Sequence, residues 1–329
     1  MKLAFFDTKP YDIPGFDRYA VPAGVQIKYY EARLNPDTVS LASGFDAVCV
    51  FVNDTVNAEV VEKLHAMGVK TILLRCAGFN NVDLAACRGK LRVFRVPAYS
   101  PYAVAEHAMA LLLSVNRRIH KAHIRTREFN FSLQGLTGFD LHGKTVGIIG
   151  TGKIGRVFAD ICRGFGMKIL AYDPYPNPDA GLDYVNLEEL FRQSDILSLH
   201  CPLTEDTAHL IRAESIEQMK EGVVILNTSR GGLVNTGDLI QALKSGRIGA
   251  ACLDVYEEEG DVFYEDLSGH ILQDDQLVRL IAMPNVIVTS HQAFLTTEAL
   301  DNIASTTVNN LLRFAADDPD PTTEVVWQA

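Results

Sequence analysis

Gly150-Thr151-Gly152-Lys153-Ile154-Gly155 follows a β-rich run, Thr145 to Gly150, and opens a stretch whose apolar residues Ile154, Val157, Phe158, Ile161, Cys162 and Phe165 recur on one helical face. Strand, glycine turn and helix in that order form the start of a dinucleotide-binding βαβ unit. The first glycine makes the tight turn, the second lets the backbone approach a pyrophosphate, and the third lets the helix pack closely on the strand. The free N–H groups at the helix start then face the phosphates. The next strand, Lys168 to Tyr172, runs into Asp173, eighteen residues beyond Gly155. A carboxylate there accepts hydrogen bonds from the adenosine ribose and repels a 2′-phosphate. Asp173-Pro174-Tyr175-Pro176 offers no arginine to receive such a phosphate. The expected cofactor is therefore NAD rather than NADP.

Outward from this loop, short β-branched runs alternate with helical patterns along nearly the whole chain, the signature of an α/β fold with parallel sheets. Downstream of Lys144 the strands are expected at Thr145–Gly150, Lys168–Tyr172, Ile196–His200, Val223–Asn227, Ala250–Val255 and Val286–Thr289, six in all, which suits a complete Rossmann domain. Upstream, Lys2–Asp7, Gln26–Glu31, Asp46–Phe51, Thr71–Cys76 and Arg92–Val96 make a second, flavodoxin-like doubly wound sheet, with helical patterns at Glu59–Met67 and from Asp83. Ser100-Pro101 looks like an N-cap followed by proline at the first helical position, and one long helix is expected from there to about Arg127. A last helix, Thr297 to Ala315, belongs to neither series and is expected to cross back onto the first domain, whereas Asp317-Asp318-Pro319-Asp320-Pro321 reads as loose coil. The expected domains are residues 1–100 with 298–329, and 101–297.

Composition narrows the function classes. With 329 residues, 47% apolar and 22% charged, the chain has ample material for two cores and resembles soluble globular proteins. A net charge of −11 attracts neither a nucleic-acid backbone nor an anionic bilayer, so neither partner is expected. Six cysteines stand singly, with no C-x-x-C pair and no zinc-like spacing, which reads as reduced thiols in the cytoplasm and no metal. The apolar patch Leu3–Phe6 is too short for a signal core, and Ala108–Val115 is too short to span a membrane.

In an open parallel sheet the ligand lies beyond the carboxyl ends of the strands. Cys201-Pro202, Thr228-Ser229-Arg230-Gly231, Glu257-Glu258-Glu259 and His291 all follow expected strands of the second series. Arg230 offers a planar fork for a carboxylate. His291 can give a proton to a carbonyl oxygen as hydride arrives, and a nearby glutamate would favour its imidazolium. His200, by contrast, reads as core packing. The basic run Arg117-Arg118-x-His120-Lys121-x-His123-x-Arg125-x-Arg127 reads as a solvated or subunit-facing helix surface, with an anion site between subunits as the alternative.

These segments, together with Arg75-Cys76-Ala77-Gly78-Phe79-Asn80-Asn81-Val82-Asp83, Val96-Pro97-Ala98-Tyr99-Ser100-Pro101 and Ser290-His291-Gln292-Ala293-Phe294, occur in the order found in the D-isomer-specific 2-hydroxyacid dehydrogenases, which the chain resembles over nearly its full length. The resemblance is to their fermentative, lactate-forming bacterial branch. It implies reversible NADH-dependent reduction of pyruvate to D-lactate, with Arg230 binding the substrate carboxylate and His291, paired with Glu259, as acid/base. It also implies substrate contacts from the backbone of Ala77 and Gly78 and from Tyr99, and NAD contacts from Lys153, Ile154, Asp173, Cys201, Pro202, Thr207, Thr228, Ser229 and Asp254. Phe294 suggests a small, methyl-sized substrate pocket. The family assembles as homodimers or homotetramers.

Overall fold

The computed structural model describes residues 1–326. The chain forms two compact units, one made of Met1–Ser100 and the chain from Phe294 onward, the other of Pro101–Ala293. Two wholly parallel sheets bear out the α/β expectation, one of five strands and one of seven.

In the first unit, β1 (Lys2–Phe5), α1 (Asp12–Ala20), β2 (Gln26–Tyr29), β3 (Ala47–Val50), α2 (Ala58–Ala66), β4 (Thr71–Leu74), α3 (Leu84–Cys87) and β5 (Arg92–Phe94) build a sheet of order β2-β1-β3-β4-β5. Every residue of β3 and β4 is buried, as expected of central strands covered on both faces. Helix α1, which contains Pro14 and Gly15, was not among the helices expected from the sequence. Pro14 falls in the first turn, where its missing N–H would be unpaired anyway. A Cβ on Gly15 would lie 3.5 Å from the Cβ of Ala304, ordinary van der Waals contact, so packing on the C-terminal helix does not require a glycine there.

The second unit begins with α4 (Pro101–Arg117) and α5 (Ile119–Arg127), so the single long helix expected to Arg127 is in fact two. Arg118 takes a left-handed conformation (φ 54°) at the junction. Asn116, at the end of α4, donates to the Phe139 carbonyl (2.7 Å) and accepts from the Phe139 N–H (2.8 Å), fastening the returning chain where the helix would otherwise continue. Then follow β6 (Thr145–Ile149), α6 (Lys153–Gly164), β7 (Lys168–Tyr172), β8 (Asp183–Tyr184), α7 (Leu187–Gln193), β9 (Ile196–Leu199), α8 (Ala213–Ile216), β10 (Val223–Asn227), α9 (Thr236–Ser245), β11 (Ile248–Leu253), α10 (Asp275–Ala282) and β12 (Val286–Val288), in sheet order β12-β11-β10-β9-β6-β7-β8. Seven strands replace the six expected. The extra one, β8, is only two residues long, too short to leave a pattern, and pairs with β7.

Alternate residues of the central strands feed two cores. Ile148, Ile196, Val224 and Cys252 face α4 and α6, while Ile149, Leu197, Ile225 and Leu253 face the opposite layer, which includes α7 to α10. Full burial of one such side chain stabilises the fold by about 1.5–3 kcal/mol.

Helix α11 (Thr297–Ala315), capped by the Thr296 hydroxyl accepting from the Ala299 N–H (3.2 Å), packs on α1 and β4 within the first unit. Beyond it, residues 317–321 form no helix or strand, in line with the coil expected there, although Arg313 donates to Asp318, and the chain that follows is fixed. Arg92 holds Glu324 through two parallel bonds (2.7 and 2.6 Å), the Arg95 N–H donates to the Thr323 carbonyl (2.9 Å), and Thr323 is buried. Glu324 thus pairs with the β5 edge just past the Asp/Pro stretch; residues 327–329 of the expected 298–329 segment lie outside the described residues.

Candidate active site

The glycine loop separates two kinds of glycine. Gly150 has φ 93° and a Cβ there would come within 2.6 Å of the His200 backbone, and a Cβ on Gly155 would lie 2.1 Å from the Gly150 carbonyl oxygen, so the fold itself demands both. Around Gly152 nothing lies within 4 Å of the Cβ position, so packing gives no reason for a glycine. Gly152 is also the N-cap of α6 and supplies no side-chain cap, which leaves the first N–H groups of a twelve-residue helix pointing out of an open cradle. An open, donor-rich cradle of this kind fits a pyrophosphate.

At the end of β7, Asp173 accepts from the Thr151 N–H (2.8 Å) and hydroxyl (3.0 Å) with one oxygen and from the Tyr175 N–H (2.9 Å) with the other. The Tyr184 hydroxyl of β8 joins Thr151 Oγ1 at 2.9 Å. Thr151 and Tyr184, both missed in the sequence, therefore fix the orientation of the carboxylate expected to meet the ribose. Thr151 lay within the motif, but nothing in a two-residue strand marked Tyr184.

Other residues expected at the cofactor differ in what they can offer. Lys153 is exposed and Ile154 half-buried at the start of α6. Cys201 is buried, which pushes its thiol up to about 11, and its carbonyl accepts from the Ser229 hydroxyl (2.7 Å). Pro202 is exposed, and its carbonyl accepts from the Thr207 hydroxyl (2.7 Å), so Thr207 shapes the loop after β9. Thr228 Oγ1 is buried and has no partner among the described residues. His200 contacts Phe158 (ring centroids 5.1 Å apart) and Ser198 Oγ (2.8 Å), and desolvation holds its pKa down to about 4.

Asp254, which follows β11, has one oxygen accepting from the Thr289 hydroxyl (2.6 Å) and the Gln292 N–H (2.9 Å) and the other accepting from the Ala293 N–H (2.9 Å). His107 Nε2 of α4 lies 3.4 Å from the first oxygen. Burial would raise this carboxyl, but the hydrogen bonds from His107, Thr289, Ala293 and Gln292 outweigh it and hold the carboxyl below its ordinary value. Much of its hydrogen-bonding capacity thus serves the turn after β12.

That turn carries His291, itself left-handed at φ 52°, a conformation that costs a non-glycine residue about 1–2 kcal/mol. Three contacts hold it. Its N–H donates to the Asp254 carbonyl (2.7 Å), its carbonyl accepts from the Tyr264 hydroxyl (3.0 Å), and its Nδ1 meets Glu259 Oε1 at 2.8 Å. Glu259 Oε2 accepts from the Tyr256 N–H (2.9 Å), so the third glutamate of Glu257-Glu258-Glu259 is aimed at the ring. Glu257 instead holds His209 (2.5 Å) and Thr236. With Nδ1 facing a carboxylate, the imidazole presents Nε2, which has no partner among the described residues.

Arg230 follows β10, which is separated from β12 by β11 alone. Two strand spacings are about 10 Å, and all three strands end on the same edge. Gly231 lies flat against the segment that holds Glu259: a Cβ there would be 2.0 Å from the Tyr256 carbonyl oxygen. Arg230 Nη1 donates to the Ser229 carbonyl (2.7 Å), while Nε and Nη2 have no partner among the described residues, leaving one edge of the fork for a carboxylate.

The first unit carries the remaining expected residues. The Ala77 carbonyl accepts from Arg95 (3.0 Å) and the Gly78 carbonyl from the Cys76 thiol (3.3 Å), whereas neither residue's N–H has a partner among the described residues. Tyr99 stands edge-on to Phe294 (6.2 Å, 72°), and Phe294, buried, also meets Phe51 at 6.2 Å.

Fold and site together define an NAD-linked oxidoreductase. Residues 109–293 match the model of the D-isomer specific 2-hydroxyacid dehydrogenase NAD binding domain. The chain is 52% identical over 315 residues to the D-lactate dehydrogenase of Escherichia coli K12, covering 94% of this chain and 96% of that one. It is 53% identical over 320 residues to the 2-hydroxyacid dehydrogenase A of Aspergillus oryzae, covering 95% and 92%. The solved apo-structure of the Escherichia coli D-lactate dehydrogenase superposes with a TM-score of 0.91 at 48% identity, over 99% of this chain and 100% of the other. The chain belongs to the D-isomer-specific 2-hydroxyacid dehydrogenases.

Proposed function

We propose that this chain is a D-lactate dehydrogenase that reduces pyruvate to D-lactate and runs the reverse reaction. The observation that carries the mechanism is the Glu259–His291 pair, which leaves Nε2 without a partner among the described residues on the strand edge where Arg230 presents its Nε–Nη2 edge. Bound nicotinamide supplies or accepts the hydride. Arg230 binds the substrate carboxylate and fixes which carbon faces the cofactor. His291 Nε2 donates its proton to the carbonyl oxygen and recovers one from the hydroxyl in the reverse direction, while Glu259 holds the ring and stabilises the imidazolium. Lys153, Ile154 and Gly155 backbone N–H groups would hold the pyrophosphate, and Asp173 the ribose, which favours NAD over NADP. The free N–H groups of Ala77 and Gly78, with Tyr99, are proposed as further substrate contacts. The names of the relatives favour lactate within the family, and Phe294 favours a methyl-sized substituent.

The test is NADH oxidation followed spectroscopically with pyruvate, hydroxypyruvate, glyoxylate and a branched 2-oxo acid, with chiral analysis of the product. Fastest turnover of pyruvate to D-lactate supports the proposal. A preference for a larger oxo acid shifts the substrate within the family, and no turnover of any removes the enzymatic reading.

The proposal extends to a homo-oligomer. Helix α5 buries none of its residues, and Phe129, Phe131 and Leu133 beyond it are 71–84% exposed, which suits contact with a second copy of the chain. Arg118 and Lys121 of the basic run donate to the Pro284 carbonyl, and Arg125 to that of Gln134, so part of the run is structural. All six cysteines are free and buried, in keeping with a reducing cytoplasm, and among the described residues no helix is long and apolar enough to cross a membrane.

A further inference from the structure

We propose that Tyr264 is a positioning residue for His291, holding both its backbone and the plane of its ring. Two contacts carry this. The Tyr264 hydroxyl donates to the His291 carbonyl at 3.0 Å, and the two rings lie 6.1 Å apart at an interplanar angle of 29°, a stacked arrangement. The bond acts on the backbone and the ring acts on the imidazole, so one side chain constrains His291 at both ends of its rotatable bonds.

Backbone conformation points the same way. His291 (φ 52°) and Tyr264 (φ 71°) are both left-handed residues that are not glycine. An aromatic residue held there is strained, and such strain persists only where the surroundings impose it. Both contacts would be lost if the Tyr264 backbone relaxed to an ordinary conformation and swung the ring away. The segment from Tyr256 to Tyr264 then has a single geometric task at its two ends. Glu259 secures the edge of the imidazole through Nδ1, and Tyr264 secures its face and its carbonyl. Nε2 is left as the one ring nitrogen free to reach a substrate.

This inference rests on the reading of His291 as acid/base, so the experiment includes a control for that reading. Three variants are purified and compared with the wild type: Tyr264→Phe, which keeps the ring and loses the hydroxyl, Tyr264→Leu, which loses both, and His291→Gln. Tyr264→Phe is expected to lower kcat about two- to tenfold, the kinetic equivalent of one neutral hydrogen bond. Tyr264→Leu should lose about ten- to a hundredfold, as expected of a misaimed group. The KM for pyruvate and the NADH Kd should stay within about twofold of wild type, because Arg230 and the glycine loop are untouched. The solvent deuterium isotope effect on kcat should rise in both variants, since proton delivery becomes the slow step.

Partial rescue in the order leucine, phenylalanine, tyrosine supports the proposal. Wild-type kcat in Tyr264→Leu, or a loss matched by a smaller NADH-binding fraction with no change in isotope effect, overturns it in favour of a purely structural residue. Should His291→Gln retain full activity, the acid/base reading falls and the inference with it. Inactive His291→Gln beside unaltered Tyr264 variants overturns the inference alone.

Discussion

In the proposed mechanism His291 and Arg230 act through different physical properties, and substitutions separate them. His291→Gln keeps the shape of a hydrogen-bonding side chain but cannot carry the proton, so NADH affinity should persist while kcat falls by about two to four orders of magnitude. Fluorescence titration of NADH together with steady-state rates checks this, and full activity in the purified variant removes His291 from the mechanism. Arg230→Lys keeps the charge but replaces a planar fork with a point charge. The pyruvate KM should therefore rise, and unchanged kinetics would show that the free Nε–Nη2 edge has no carboxylate to hold. Both residues were legible in the sequence because each directly follows a strand. Their supports were not. Tyr264 and His107 reach the site from a loop and from α4, at distances along the chain that no spacing rule covers.

Among elements, the turn from β6 into α6 is the most informative, because its glycines answer to different demands. Gly150→Ala forces a side chain into a left-handed position and onto the His200 backbone, so it should lower Tm by several degrees even without cofactor. Gly152→Ala meets nothing within the protein. It should leave the Tm of the apoprotein within about a degree or two and weaken NADH binding. Thermal melts with and without NADH distinguish the two, and equal destabilisation by both variants would show that Gly152 serves the fold rather than a ligand. The motif alone assigned all three glycines in one pattern, and only the surrounding atoms show which of them the protein needs for itself. The break between α4 and α5 makes the same point. Helical periodicity ran on to Arg127, but Arg118 is left-handed and splits the run, next to an Asn116 side chain that donates to and accepts from the Phe139 backbone.

Across the whole molecule, His200 and Asp54 predict opposite responses of the two units to acid. In the second unit, burial lowers His200 to about 4 from an ordinary 6.5. Folding there favours the neutral ring, so its stabilising contribution is present above pH 6.5 and is lost as pH falls toward 4. In the first unit, burial raises Asp54 to about 6 from 3.8, although Arg75 and the N–H groups of Phe51 and Leu34 pull it down. Folding favours the protonated form, and that contribution is present below pH 3.8 and lost as pH rises through 6. Between pH 6.5 and 4, acidification should weaken the second unit and strengthen the first. Hydrogen exchange read peptide by peptide across this range should show protection falling around β9 and rising around β3, and His200→Phe should flatten the former. Parallel loss in both units would contradict the assignment.

By itself the sequence determined the strand–turn–helix at Gly150, most of the strands of both sheets, the C-terminal helix and the residues at the strand ends that carry the proposed chemistry. These are local patterns, set by the alternation of apolar side chains and by backbone needs within a few residues. Tertiary structure decided that the Tyr264 hydroxyl reaches the His291 carbonyl from a loop, that a two-residue strand steadies Thr151 beside Asp173, and that the chain at residues 323–325 is ordered against β5. Each of those outcomes depends on hydrogen bonds between residues far apart in the chain, whose energy exists only once the sheets have brought their ends together.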